Sequence, residues 1–318
     1  MNYLVLGGNG FIGSHIVERL LRTDGRVRVY DRSDNRYQGR LPNVEYVYGE
    51  LGNAGLVRAA LTDIDVVVHL ISTTVPGSSN DDPAFDVQSN VVDTIRLLEA
   101  CVSARVKRFV YTSSGGTVYG IPQQTPIPED HPLNPISSYG ITKLAIEKYL
   151  AMFYHVHGLE YGVLRPANAY GERQNPFGQQ GLIAVMLGKI MRAEPIVVWG
   201  DGNVVRDFVH VADIAEAVFQ VMTAPLTAAR IFNCGSGAGI SVNEMLQHLA
   251  GVVGHAVDAR YVQPRRFDVP VNVLDTTRLR QQLGWSPKVD LDTGLRRMWT
   301  WMQATFGPQA GPLALCET

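Results

Sequence analysis

The stretch that most constrains this chain is GGNGFIGSH, residues 7–15, set between the apolar run YLVLG and the amphipathic run FIGSHIVERLLR. Gly7, Gly10 and Gly13 follow the spacing G-x-x-G-x-x-G. Glycine at these points permits a tight strand-to-helix turn and a close backbone approach to a pyrophosphate at the helix N-terminus. The pattern continues as a βα series. Strands are expected at 3–7, 27–31, 44–49, 66–72, 107–114 and 158–166, and helices at 11–22, 56–63, 88–104 and 137–157. Alternating strands and helices imply right-handed βαβ units on a parallel sheet, and continuous Val/Ile/Leu runs imply strands covered on both faces. The expected fold class is α/β: a Rossmann-type doubly wound parallel sheet with a smaller C-terminal α/β substrate lobe.

After residue 166 the rhythm breaks. The loop NAYGERQNPFGQQG precedes a helix near 181–193, then short elements lead to LGW at 283–285. The expected division is 1–166 plus roughly 200–225 for the nucleotide-binding domain, and 167–199 with 226–318 for the substrate lobe. The tail 303–318 is expected to fray.

Asp31 ends the second strand, 18 residues after Gly13. A carboxylate there accepts hydrogen bonds from both adenosine ribose hydroxyls and repels a 2′-phosphate, so NAD is the expected cofactor. Arg32 follows directly and leaves NADP as the alternative. Glu50 and Leu51 either flank the adenine or simply end the third strand.

Composition narrows the partners. The 318-residue chain carries a formal net charge of −2, with no basic block suited to nucleic acid or anionic lipid. No apolar run reaches the length of a membrane span, and the N-terminus lacks the basic region of a signal peptide. Cys101, Cys234 and Cys316 are scattered and odd in number. They fit a reducing, cytoplasmic setting and neither a disulfide frame nor a metal site.

The segment RFVYTSSGGTVYG (108–120) ends the fifth strand in hydroxyl residues and glycines, and Tyr139 and Lys143 follow on the next helix. A spacing of four puts both side chains on one helix face. A tyrosine pKa is ordinarily about 10, and an ammonium about 4 Å away lowers it by roughly three units at an effective dielectric of about 20. Lys143 would thus make Tyr139 a general base, and an oxidised nicotinamide would add to the effect.

These motifs, with Asn90 in SNVVDTIRLLEA and the RDFVHVAD segment (206–213), resemble the extended short-chain dehydrogenase/reductase family over nearly the whole chain. Within it the likeness is to NAD-dependent nucleotide-sugar epimerases of the UDP-galactose (UDP-glucose) 4-epimerase type. The resemblance implies that Tyr139 takes the sugar 4-hydroxyl proton and that Lys143 activates it and holds the nicotinamide ribose. It implies further cofactor contacts from Phe11, Ile12, Leu70, Ile71, Ser72, Asn90, Ser113 and Pro166. The family usually places Ser or Thr four residues before the tyrosine of VYG, and here that residue is Gly115. Ser114 and Thr117 are the two candidates for the missing hydroxyl. Nucleotide-sugar dehydratases carry an Asp-Glu pair before VYG, where this chain has Gly116-Thr117.

On the substrate side the resemblance implies Asn168, Arg206, Arg265, Asp268 and Asn272, with Arg266 as the alternative to Arg265. Two separated guanidiniums suit a pyrophosphate, although each could instead pair with Asp207 or Asp268. Asn272 stands where relatives gate the sugar pocket, which leaves UDP-glucose/galactose and UDP-N-acetylglucosamine/galactosamine open. Helices 88–104 and 137–157 are apolar around much of their circumference, and the resemblance implies a homodimer through them. The rivals are another nucleotide-sugar oxidoreductase or dehydratase on this fold, and a non-catalytic NAD-binding sensor.

Overall fold

The computed structural model describes residues 1–227, 229–264 and 269–307. The chain runs β1 (Asn2–Leu6), α1 (Phe11–Leu20), β2 (Arg26–Asp31), β3 (Val44–Tyr48), α2 (Ala54–Ala60) and β4 (Val66–His69). It continues through α3 (Pro83–Asp86), a π-helical stretch (Val87–Val92), α4 (Asp93–Ser103), β5 (Arg108–Thr112), α5 (Ser138–His157) and β6 (Glu160–Pro166). Then come β7 (Asn168–Tyr170), α6 (Leu182–Met191), β8 (Ile196–Trp199), β9 (Val205–His210), α7 (Val211–Thr223) and β10 (Ile231–Cys234). The last elements are β11 (Gly239–Ser241), α8 (Val242–Val253), β12 (Ala259–Val262), β13 (Val271–Asn272), α9 (Thr277–Leu283) and α10 (Leu291–Phe306).

Seven strands form one sheet in the order β10-β6-β5-β4-β1-β2-β3, all parallel. This is the expected doubly wound Rossmann arrangement, and its order reverses between β1 and β4, where such sheets open a ligand crevice. Side chains alternate across it. Val5, Val29 and Val110 enter the layer beneath α1 and α7, whereas Leu4, Leu6, Phe109 and Tyr111 enter the layer beneath α2, α4 and α5. Each fully buried aliphatic side chain contributes about 1.5–3 kcal/mol. A third core gathers Ile183, Leu187, Met245, Leu249, Leu295 and Met298 around the smaller sheets, β11-β9-β13 with β7 on β9, and β12-β8.

The structure corrects four expectations. β10, expected in the substrate lobe, pairs with β6 in the large sheet and buries Phe232 and Cys234 completely. β9, expected with the large sheet, is the central strand of the four-stranded one, while α7 beside it packs on α1. The helix expected over 88–104 opens as a π-helix before α4, a feature that hydrophobic periodicity does not register. Residues 303–306 finish α10 and do not fray: Phe306 packs edge-on against Tyr37, Phe177 and Trp301. Tyr37 also donates to Asn175 Oδ1 at 3.1 Å, joining the loop after β2 to the loop after β7. Residues 308–318 lie outside the described residues.

Candidate active site

The glycine loop connects β1 to α1 at the carboxyl edge of the sheet. Gly7 has φ +82°, a left-handed conformation that favours glycine. A Cβ on Gly13 would stand 2.1 Å from the Gly7 carbonyl oxygen, so only glycine lets α1 pack this close to the turn. Gly10 caps α1 with no side-chain hydrogen bond, and there is no acidic residue in the first turn. The first amides of α1 and the positive end of its dipole thus face the cleft without a competing anion. Asp31, at the end of β2, is held beside this loop: Oδ2 accepts from Asn9 N at 3.0 Å, and Oδ1 accepts from Arg32 N at 2.8 Å. Burial pushes its carboxyl up, and the backbone donors of Asn9, Arg32 and Ser33 oppose that.

Tyr139 and Lys143 lie in the first two turns of α5, which Ser137 caps by accepting from Gly140 N. Both line one cleft with Gly7, Gly10, Phe11, Ile12, Gly13, Leu70, Ser72, Ser113, Ser114, Thr117, Pro166 and Asn168. Its volume is about 590 Å³. Lys143 Nζ donates to the Thr112 carbonyl at 3.1 Å and stands 5.5 Å from the centre of the Tyr139 ring. Burial lowers the ammonium to about 8, while the carboxylates of Asp86 and Glu147 favour its charge. Tyr139 goes the other way: burial, and then the Asp86 carboxylate, push its hydroxyl up to about 12. Without cofactor, the lowering of Tyr139 expected from Lys143 is thus not seen. The ammonium is engaged by Thr112, and burial outweighs its effect. Thr117 Oγ1 is buried with no hydrogen-bond partner among the described residues.

Other expected residues sit elsewhere. Ile71 packs beneath Gly7. Glu50 contributes its carbonyl to the Tyr30 hydroxyl, and Leu51 is buried in the sheet's core. Arg32 is exposed. Asn90 braces the loop after β4, accepting from Thr73 N at 3.0 Å and donating to Asp86 Oδ1 at 2.8 Å. Asn272, expected to gate the sugar pocket, is only 2% exposed and donates to the Gly115 carbonyl at 3.4 Å. It belongs to the wall behind the cleft, because β13 is paired along β9. Arg206 shares that register and donates to the Val205 and Val269 carbonyls. Arg265, Arg266 and Asp268 lie outside the described residues. Sequence reasoning missed Gln174, Asn175, Gln179 and Gln180, which line the cleft from the loop after β7. Their density of amides beside glycines was the available signal.

The family model described as the NAD dependent epimerase/dehydratase family matches residues 3–235. The chain belongs to that family. It is 38% identical over 307 residues to UDP-glucose 4-epimerase of Mycolicibacterium smegmatis, covering 93% of this chain and 97% of the relative. UDP-glucose 4-epimerase from Thermotoga maritima, solved with UDP-glucose, aligns with a TM-score of 0.90 at 35% identity, covering 96% of this chain and 99% of that one. The Thermus thermophilus UDP-glucose 4-epimerase complex with NAD gives a TM-score of 0.87 at 33% identity, covering 95% and 99%.

As a member of the epimerase/dehydratase family the chain is an NAD-dependent enzyme of the extended short-chain dehydrogenase/reductase type. The residues present fit the cofactor: the glycine cradle admits no side chain at Gly13, and the α1 amides and Asp31 supply donors and an acceptor side by side on one edge of the sheet. Its departure at Gly115 also has a local cause. A Cβ there would stand 2.4 Å from Leu274 Cδ1 and 3.1 Å from the Arg165 carbonyl oxygen. Among the described residues no helix is long and apolar enough to cross a membrane.

Proposed function

We propose that this chain interconverts a UDP-hexose and its 4-epimer through a 4-keto sugar, with Tyr139 as the base and Lys143 as its activator. The observation that carries the reading is the cleft's chemistry. Lys143 is the one charged side chain among the described residues lining it, and hydroxyls, amides and glycines make up its polar surface. Such a lining suits a neutral hexose. Dehydration at C5–C6 needs a carboxylic acid/base pair, which these residues do not supply.

NAD, when bound, supplies the hydride acceptor and a cationic ring. A positive charge about 4 Å from the Tyr139 hydroxyl at an effective dielectric near 20 is worth about 4 kcal/mol, or about three pKa units. Tyr139 then takes the 4-hydroxyl proton and later returns it. Lys143 keeps a second positive charge on the same helix face. Thr117 Oγ1, or Ser114 beside it, donates to the reacting oxygen. Asn168, Gln174, Asn175, Gln179 and Gln180 offer amides to the sugar and the diphosphate, and Arg206 with Arg265 is assigned to the diphosphate.

The same reading places the protein in the cytoplasm as a homodimer. Phe85, Val87, Ile141, Tyr149, Met152 and Val156 are each at least 36% exposed on adjoining helical segments, a concentration of apolar surface that a two-fold partner would cover. The test is to incubate the protein with UDP-glucose and, separately, UDP-N-acetylglucosamine, and to follow the anomeric proton signals. Appearance of the galacto signal, absent with Tyr139→Phe, is the expected result. Conversion of neither sugar by NAD-loaded protein would overturn the reading.

A further inference from the structure

One turn beyond Lys143, Glu147 forms a bidentate pair with Arg165 of β6: Nε to Oε1 at 3.0 Å and Nη2 to Oε2 at 2.5 Å. Both side chains are 1% exposed. The pair also reaches the loop between β5 and α5 at three points, one of them a bond from Arg165 Nη1 to the Glu129 carbonyl at 3.2 Å. Ser113 Oγ donates to Glu147 Oε1 at 2.5 Å, and Arg165 Nη1 donates to the Tyr119 hydroxyl at 2.9 Å. The Tyr119 hydroxyl in turn donates to Asn233 Oδ1 of β10 at 2.6 Å. Ser113 and Tyr119 bracket Ser114 and Thr117, the two candidate hydroxyls. Tyr139 and Lys143, by contrast, ride on α5.

We infer that the Glu147–Arg165 pair is a positioning clamp that fixes the 114–117 segment relative to Tyr139 and Lys143. The two halves of the site come from different elements, and a misplacement of about 1 Å between them costs about a hundredfold in rate. Gly115 is tied to β6 by its own amide, which donates to the Pro166 carbonyl at 2.9 Å, and to Asn272 through its carbonyl, but the side chains of the segment are not: Thr117 Oγ1 makes no hydrogen bond among the described residues, and Lys143 Nζ donates to the Thr112 carbonyl and not to the segment. A charge pair buried this completely adds little net stability compared with apolar packing, yet it holds its partners to one geometry. Neither Glu147 nor Arg165 lines the cleft, so their role is positioning.

The inference rests on the reading of Tyr139 as the base, and its test keeps the two apart. Glu147→Gln preserves shape but leaves the Arg165 guanidinium without a counter-charge, a change that threatens folding itself. Tyr119→Phe is milder: it removes one hydroxyl and the link that borders the 114–118 stretch, leaving the bond to the Glu129 carbonyl in place. For this variant, amides of 114–118 are expected to exchange about tenfold faster while those of α5 stay protected. The kcat for the UDP-hexose is expected to fall about tenfold, with KM within about twofold. Unchanged exchange and unchanged kcat, or a lower melting temperature with neither altered, would overturn the clamp. If the wild-type protein converts no UDP-hexose, the functional reading fails, and the exchange rates still decide the clamp.

Discussion

Gly115 and Leu274 leave no room for a side chain between them: a Cβ on Gly115 would stand 2.4 Å from Leu274 Cδ1, and Leu274 is fully buried. The glycine that breaks the family pattern is thus a packing requirement of this chain. Gly115→Ser is expected to destabilise by about 1–3 kcal/mol through overpacking. Leu274→Ala alone should cost about 2–5 kcal/mol. Because the two sites touch, the double variant should cost clearly less than the sum. Additive losses in denaturant melts would contradict the steric account.

The hydroxyl that Gly115 lacks is expected from Thr117. Its Oγ1 is buried without a partner, and a hydrogen bond to a charged oxygen is worth about 1.5–3 kcal/mol. Thr117→Ala should therefore lower kcat about 10- to 100-fold, and Ser114→Ala less. The reverse ranking in initial-rate measurements would hand the role to Ser114.

Tyr139→Phe should reduce kcat by about 10²–10⁴-fold and leave NAD binding within about twofold. The variant lacks only the hydroxyl, and the cradle for the cofactor is built by α1 and β2. Isothermal titration with NAD beside the rate assay separates the two effects. A parallel loss of NAD affinity would show that the tyrosine serves binding.

The depressed ammonium of Lys143 has a pH signature in the cofactor-free protein. Its folded pKa is about 8, against 10.5 ordinarily, so the unfolded chain binds more protons between those values. Stability from this group is lowest below about pH 8 and rises as pH climbs through 10.5, by about 3 kcal/mol in all. Lys143→Met should lack that increment. Melting curves of the two proteins between pH 7.5 and about 10 should converge, the variant being the more stable at the lower end. Parallel curves would contradict it.

Asp31→Ser should weaken NAD about 10- to 100-fold and improve NADP relative to it, if the carboxylate at the end of β2 accepts from the ribose hydroxyls as proposed, since it would also repel a 2′-phosphate. Competition titrations with both nucleotides would detect the change. Unaltered selectivity would mean that Arg32 has no access to a 2′-phosphate.

The large sheet and the glycine turn were legible because each rests on local signals: continuous apolar strands, a turn that only glycine permits, and a Tyr-x-x-x-Lys spacing on a helix. Residues set by tertiary register were not legible. Asn272 was expected in the sugar pocket, yet its place depends on how β13 lies along β9, and that pairing turns it toward Gly115. β10 reads from sequence as a four-residue fragment, too short to allocate to a sheet. Tyr139's elevated pKa could not be read from its neighbour Lys143, because it comes from burial and from Asp86, 53 residues earlier in the chain.

The hydrogen bond from Tyr37 to Asn175 bears on how such enzymes can be recombined. The segment after β2 follows Asp31, and the segment after β7 lines the cleft, yet they share one aromatic seam with the end of α10. A chimera that imports 171–181 from a relative with a different sugar preference inherits half of that seam and meets a foreign Tyr37, Trp301 and Phe306. The transplantable unit is therefore discontinuous in sequence: three distant segments pack as one seam, and 171–181 cannot be exchanged as a single cassette.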